Sequence, residues 1–175
     1  MERYEVVSNG PDETAAVARA LASVLRGGDV ILLDGQLAAG KTTFVKAVAS
    51  ARGSSDIVTS PTFTLANFYS TPTDTILHID AYRLSGLLEF RDLALDDYFD
   101  SALTFIEWGM FAAKEFPEHL AIQFSAELGG ADLGGADLGG AVRRTLTFSS
   151  DSLRWIAVLP AVLAEMATAL GKATA

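Results

Sequence analysis

The chain has 175 residues, half of them hydrophobic, with a net charge of −9 and no cysteine. That length suits one core, and the missing cysteines exclude disulfides, thiolate metal sites and a cysteine nucleophile. The acidity argues against unaided nucleic-acid binding, where Lys and Arg must neutralise phosphates.

The opening residues MERYEVVSNG hold no signal-peptide core. The late apolar stretch from Trp155 to Ala164 lies between Arg154 and Glu165, contains Pro160 and is too short to span a bilayer. No membrane association and a cytoplasmic location are therefore expected. In chain order, Glu5–Val7 reads as a short strand. Pro11-Asp12-Glu13-Thr14 then starts a helix, with proline early and acids in the first turn. Ala16, Val17, Ala20, Leu21, Val24 and Leu25 keep helical spacing as far as Gly27-Gly28. The apolar run Asp29–Asp34 predicts a buried strand, and Lys41–Arg52 a helix stopped by Gly53. Beyond Ser60-Pro61, the β-branched and aromatic run Thr62–Tyr69 predicts a strand.

TILHID (Thr75–Asp80) and LTFIE (Leu103–Glu107) read as further buried strands, with a helix over Leu87–Phe99 between them. Ala121–Ser125 and Thr145–Ser149 are expected to pair as an antiparallel hairpin near the C-terminus. Between them lies ELGGADLGGADLGGAVRR, in which the unit LGGAD occurs twice and a third copy begins. Two copies are too few for a solenoid, so the segment reads as a loop lengthened by duplication. Alternating strands and helices predict an α/β sandwich with a mostly parallel central sheet flanked by helices. The expected organisation is a domain over 1–150, including the glycine-rich hairpin loop at about 127–142, and a helical tail over 151–175. In the tail, Leu153, Ile156, Leu159, Leu163, Met166 and Leu170 lie near helical spacing.

One stretch carries chemistry. Gly35, Gly40, Lys41 and Thr42 match G-x-x-x-x-G-K-[ST], the P-loop pattern, after a predicted strand and before a predicted helix. A phosphate chain must be wrapped by backbone N–H groups, and the loop Gly35-Gln36-Leu37-Ala38-Ala39-Gly40 is poor in the bulky side chains that would block it. The following helix aims its positive dipole end at the anion. Lys41 adds a point charge at the outer phosphates, the Thr42 hydroxyl suits Mg²⁺, and Thr43 reaches the innermost phosphate. A carboxylate is needed beside the metal. Asp80 and Glu107 both end apolar strands, and these residues alone do not decide which lies nearer. His78 shares a strand face with Asp80 and reads otherwise as a core residue. Arg83 suits a phosphate or an acid, Trp108 suits packing, and Ser60, Thr62 and Thr64 suit a mobile loop near the γ-phosphate.

Together, GQLAAGKTTF, SPTFTL, HIDAYRL, DLALDDYFD and IEW, in this order, resemble the TsaE family, also called YjeE, over about Pro11–Ser125. These are small P-loop ATPases required for making threonylcarbamoyladenosine in tRNA. The resemblance implies ATP on Gly35–Thr43 with Mg²⁺ on Thr42, and Glu107 as a magnesium-side acid. It implies Asp80 acting in hydrolysis with Tyr82 and Arg83 beside it, and Ser60–Leu65 as a loop that senses nucleotide state. Thr14 matches a family threonine near the nucleotide. The implied partners are the TsaD and TsaB proteins, TsaD carrying the transferase chemistry. Gln36 and Ala38 depart from the family's usual Asp and Gly, and the glycine repeat and tail match nothing in it.

The alternative on the same scaffold is a small-molecule kinase, which needs an acceptor pocket and a basic lid. Between Gly53 and Asp100 the only Lys or Arg residues are Arg83 and Arg91, which favours hydrolysis. A non-enzymatic nucleotide sensor is disfavoured by the paired acids, and a GTPase by the lack of an N-K-x-D segment. No arginine finger is evident, so isolated turnover is expected to be slow and partner-dependent.

Overall fold

The computed structural model describes residues 2–127 and 143–171. Its elements are β1 (Glu2–Ser8), α1 (Pro11–Ala22), β2 (Val30–Gly35), α2 (Lys41–Ala51), β3 (Ala66–Ser70), β4 (Thr75–Asp80), α3 (Leu87–Arg91), α4 (Asp96–Phe99), β5 (Leu103–Glu107), a 3₁₀ helix (Gly109–Glu115), β6 (Leu120–Glu127), β7 (Arg143–Ser150) and α5 (Leu153–Ala169). The strands form one seven-stranded sheet in the order β1-β7-β6-β2-β5-β4-β3. At its centre β6, β2, β5 and β4 run parallel, while β3 at one margin and β7 and β1 at the other are antiparallel. This is the expected α/β sandwich, and β6 and β7 form the expected antiparallel pair.

The strand sequences explain the layering. Val30–Leu33, Ile76–Asp80 and Leu103–Glu107 are buried throughout, as central strands covered on both faces must be. Alternate residues separate two cores. Ile31, Leu33, Ile76, Leu103 and Phe105 pack with α1, α2 and α5; Val30, Leu32, Leu77, Ile79 and Ile106 pack with the short helices and the 3₁₀ turn. The faces of α2 and β6 meet where Phe44 and Phe124 pack edge to face at 5.6 Å.

Three expectations need correction. The strand expected over Thr62–Tyr69 begins only at Ala66. Residues 61–65 instead close a turn, with the Leu65 N–H donating to the Pro61 carbonyl at 2.7 Å and Leu65 at φ 64°. The helix expected over Leu87–Phe99 splits into α3 and α4 around Ala94, which sits at φ 52° and donates to the Arg91 carbonyl. The first helix stops at Ala22, where the Ser23 hydroxyl takes the Ala20 carbonyl at 2.7 Å, well before Gly27. The 3₁₀ helix after Trp108 had no sequence signal. The repeat loop lies, from residue 128 to 142, outside the described residues, as do 172–175.

α5 runs through Pro160 without ending. Trp155, Leu159, Val162 and Met166 recur every three or four residues and enter the core shared with α1. Trp155 is fully buried and its indole N–H donates to the Glu118 carbonyl at 3.0 Å. Arg154 lies 4.2 Å from the Trp155 ring centroid and pairs with Asp29 at 2.7 Å, which ties the helix start to the turn before β2. No helix among the described residues is long and apolar enough to cross a membrane.

Removing the Trp155 ring leaves a cavity in the core and takes away the indole donor to the Glu118 carbonyl. Trp155→Ala is expected to lower unfolding free energy by about 3–5 kcal/mol. Leu153→Ala, on the exposed side of the same turn, should change it by less than about 0.5 kcal/mol. Urea unfolding of the two variants checks this, and equal losses would show that α5 is not anchored through Trp155.

Candidate functional site

The parallel strands β2, β5 and β4 bring three chain ends to one edge of the sheet. β2 and β5 pair Leu33 with Glu107, and β5 and β4 pair Glu107 with Asp80. The loop Gln36–Gly40, Glu107 and Asp80 therefore sit side by side at the carboxyl edge, where open α/β sheets bind ligands. They enclose a cleft of about 350 Å³ lined by residues 37–43, Ser60, Thr62, Asp80, Tyr82, Glu107 and Trp108. That volume is within the range of small-molecule sites.

Backbone constraints form the loop. Gly35 has φ 136°, and a Cβ there would stand 2.4 Å from the Phe124 carbonyl oxygen of β6. No other residue fits that position, because the strand must leave the sheet while pressed against its neighbour. Gly40 turns back at φ 108° to start α2, whose Phe44 N–H takes the Gly40 carbonyl at 2.9 Å. Helix geometry leaves the N–H groups of 41–43 without carbonyl partners in the helix, facing the loop. Ala38, between the glycines, is held at φ 61°.

Lys41 is buried and does not extend into solvent. Its ammonium donates to the Gly35 and Gln36 carbonyls at 2.8 and 3.0 Å and lies 4.0 Å from the Trp108 ring centroid. Burial lowers its pKa, and the carboxylates Glu107, Asp34 and Asp80 oppose that shift. An ammonium with three donors, two of them on loop carbonyls, retains one for an anion in the cleft.

The two acids sit differently. Glu107 Oε1 accepts from the Thr42 hydroxyl at 2.7 Å and lies 2.9 Å from His78 Nε2. Burial alone would raise its pKa; the His78 and Thr42 hydrogen bonds and the electrostatic attraction of His78 and Lys41 reverse this and hold it below the usual carboxylate range. An ionised carboxylate only accepts, so His78 Nε2 carries the proton. His78 Nδ1 has no hydrogen-bond partner and sits in a fully buried ring. Asp80 instead belongs to the loop. Its Oδ2 accepts from the Thr62 hydroxyl at 2.7 Å and its Oδ1 from the Tyr82 N–H at 3.0 Å. The Ser60 and Thr62 hydroxyls are 2.7 Å apart, and Arg83 donates to the Thr62 carbonyl at 3.3 Å.

The arrangement suits a phosphate chain with a hard cation. The Thr42 hydroxyl and Glu107 carboxylate are oxygen donors within one coordination sphere of each other, and Asp80 is the adjacent acid. Among the described residues no group of three or more His, Asp or Glu side chains is placed to hold a metal.

The sequence of this chain matches the family profile of the "Threonylcarbamoyl adenosine biosynthesis protein TsaE" over residues 8–130. The chain belongs to the TsaE family. It is 39% identical over 109 residues to the tRNA threonylcarbamoyladenosine biosynthesis protein TsaE of Bacillus subtilis, covering 62% of this chain and 68% of that protein. It is 40% identical over 114 residues to the TsaE protein of Treponema pallidum, covering 65% and 84%. The crystal structure of Bacillus subtilis YdiB superposes with a TM-score of 0.68 at 28% identity, covering 93% of this chain and 95% of that one.

Of the residues singled out in the sequence, the TsaE P-loop, Ser60, Thr62, Asp80, Tyr82, Glu107 and Trp108 converge on the cleft. Tyr82 and Trp108 pack together there at 5.2 Å. Gly35 and Gln36 contribute carbonyls to Lys41. His78 lies beneath the cleft against Glu107, and Arg83 outside it against Thr62. Thr14 is buried at the start of α1, its hydroxyl 2.8 Å from that of Ser8 and donating to the Gly10 carbonyl at 3.1 Å; it is not among the residues lining the cleft. One side chain at the loop was not singled out: Arg144 of β7 donates from Nε to the Ala39 carbonyl at 3.1 Å. Its only sequence signal is the Arg143-Arg144 pair that follows the glycine repeat.

Alanine in the left-handed region costs about 1–2 kcal/mol, against the roughly 0.5–1 kcal/mol of extra chain entropy that glycine loses on folding. Ala38→Gly is therefore expected to stabilise the free protein by roughly 0.5–1 kcal/mol. Chemical denaturation checks the sign, and destabilisation would show that the loop carries no strain at Ala38.

Proposed function

We propose that this chain binds ATP with Mg²⁺ and hydrolyses it, as the ATPase component of the machinery that makes threonylcarbamoyladenosine in tRNA. In this reading it acts in the cytoplasm on an assembly of the TsaD and TsaB proteins and does not itself bind tRNA. The observation that carries the proposal is the pairing of the Lys41 loop with the Thr42–Glu107 contact at 2.7 Å, with Asp80 next in register. The family membership supplies the pathway.

The residues divide the work. Backbone N–H groups of the loop and the first turn of α2 surround the β- and γ-phosphates, and Lys41 supplies a positive charge held in place by the Gly35 and Gln36 carbonyls. Thr42 and Glu107 would hold Mg²⁺, which offsets charge on the phosphate oxygens. Glu107 is pre-oriented by His78, so its carboxylate needs no reorganisation. Asp80 accepts a hydrogen bond from the attacking water and aligns it with the γ-phosphorus. A bond forms from the water oxygen to that phosphorus, the bond to the β–γ bridging oxygen breaks, and ADP and phosphate result. Thr62 holds Asp80 before reaction, so a change at Asp80 moves the 60–65 turn, which carries Phe63 at 90% exposure. That turn is the part of the site placed to signal nucleotide state to a partner. Lys41 is the one cationic side chain lining the cleft among the described residues, which favours hydrolysis over transfer to an acceptor held by a basic lid.

The test is ATP turnover by the purified protein, alone and with TsaD and TsaB. Slow turnover alone and stimulation by the partners are expected. Lys41→Ala should abolish nucleotide binding, whereas Asp80→Ala should keep binding and lower stimulated turnover by about a hundredfold or more. Transfer of the γ-phosphoryl group to a small-molecule acceptor, without stimulation by those partners, would overturn the proposal.

A further inference from the structure

We propose that Arg144 is a positioning residue for the phosphate cradle, fixing the Ala39–Gly40 peptide so that its N–H faces the nucleotide. The inference deepens the ATP-binding reading and rests on it. Arg144 also lies outside residues 8–130, the stretch that matches the family profile.

Topology brings the residue there. β2 pairs Gly35 with Phe124 of β6, and β6 pairs Phe124 with Leu146 of β7. Leu146 is fully buried in the core under α1 and α2. Arg144, two residues earlier on the same strand, is on the same face. It is paired with Ala126 on one side and Ser8 on the other, at the end of the sheet that carries the loop. From there its Nε reaches across the end of β6 to the Ala39 carbonyl at 3.1 Å, a contact between residues 105 apart in sequence. A Cβ built on Gly40 would lie 3.8 Å from the same nitrogen, so the guanidinium borders both ends of this peptide. Arg144 is half-buried.

The peptide plane converts this contact into an effect on the ligand. A trans amide carries its C=O and N–H on opposite edges. With the Ala39 oxygen held outward by β7, the Gly40 N–H points the other way, toward the cleft that Gly40 lines. Such a plane flips by rotation about ψ of the first residue and φ of the second, and glycine at the second position tolerates both outcomes. A flipped plane would present a carbonyl oxygen to the phosphates in place of a donor. Gly40 gives the loop room for the anion, and the guanidinium removes the freedom that comes with it. The Ala39 N–H is taken locally by the Gln36 carbonyl at 3.2 Å, so Arg144 is a restraint on the next peptide from outside the loop.

The experiment is calorimetric titration of the full chain with ADP and with Mg-ATP, beside thermal melts of the free proteins. Arg144→Ala should weaken ADP and ATP about tenfold, the scale of one charge-assisted hydrogen bond, with an unchanged melting temperature in the absence of nucleotide. Arg144→Lys and Arg144→Gln, which keep a donor on a different stem, should each recover part of the loss. In the amide spectrum of Arg144→Ala, the Gly40 resonance should broaden by exchange and sharpen on adding ADP. Affinity within twofold of the unsubstituted protein would overturn the proposal. So would a loss that tracks a lowered melting temperature and is not recovered by either conservative variant. The unsubstituted protein is titrated first: if it fails to bind ATP, the nucleotide reading fails, and this proposal with it, whereas binding by both it and Arg144→Ala sinks this proposal alone.

Discussion

A single carboxylate oxygen organises the centre of this molecule. Oε1 of Glu107 takes hydrogen bonds from the first turn of α2 through Thr42 and from β4 through His78, while its backbone belongs to β5. Three elements thus converge on one buried acceptor in a region where an unpartnered charge would be expensive. The adjacent Lys41 ammonium completes the balance, and each ion lessens the burial penalty of the other. Glu107 is therefore ionised and oriented before any ligand arrives. In the proposed ATP-binding role such rigidity helps, because the site's dipoles and charges are already aimed.

Asp80 contrasts with it. It is adjacent to Glu107 in register, yet its partners are the Thr62 hydroxyl and the Tyr82 N–H, both on connecting segments. One acid is fixed by strands and a helix, and the other is coupled to a turn. The turn itself is closed by the Leu65–Pro61 hydrogen bond, with Pro61 buried and Phe63 turned outward. The two acids therefore sit in different settings: one is fixed by strands and a helix, the other is bonded to connecting segments.

The sequence revealed most where one physical demand governs several residues. Val30–Leu33, Thr75–Asp80 and Leu103–Glu107 had to be strands because central parallel strands are apolar on both faces, and the P-loop glycines announce a backbone that must approach closely. The sequence misled where local propensity and backbone closure disagree. Thr62–Leu65 has the composition of a strand, but the proline at 61 and the left-handed Leu65 close a turn. Leu87–Phe99 keeps helical spacing, but Ala94 breaks it by adopting a conformation that alanine seldom takes. Arg144 was illegible for a different reason: its importance depends on which strand lies beside β6, and no local pattern encodes that long-range pairing. His78 was legible as a candidate, but its partner Glu107, 29 residues away, was not.

The chain has two tryptophans, and the fold separates their environments. Trp155 is sealed in the core beneath α5, away from the cleft, with its indole N–H on a main-chain carbonyl. Trp108 stands at the cleft in a left-handed backbone conformation, between the Lys41 ammonium and the Tyr82 ring. Both neighbours line the cleft. Indole emission responds to nearby charge and to ring stacking, so Trp108 acts as a built-in optical reporter of the cleft. Trp155 supplies a constant background that reports only on the integrity of the core.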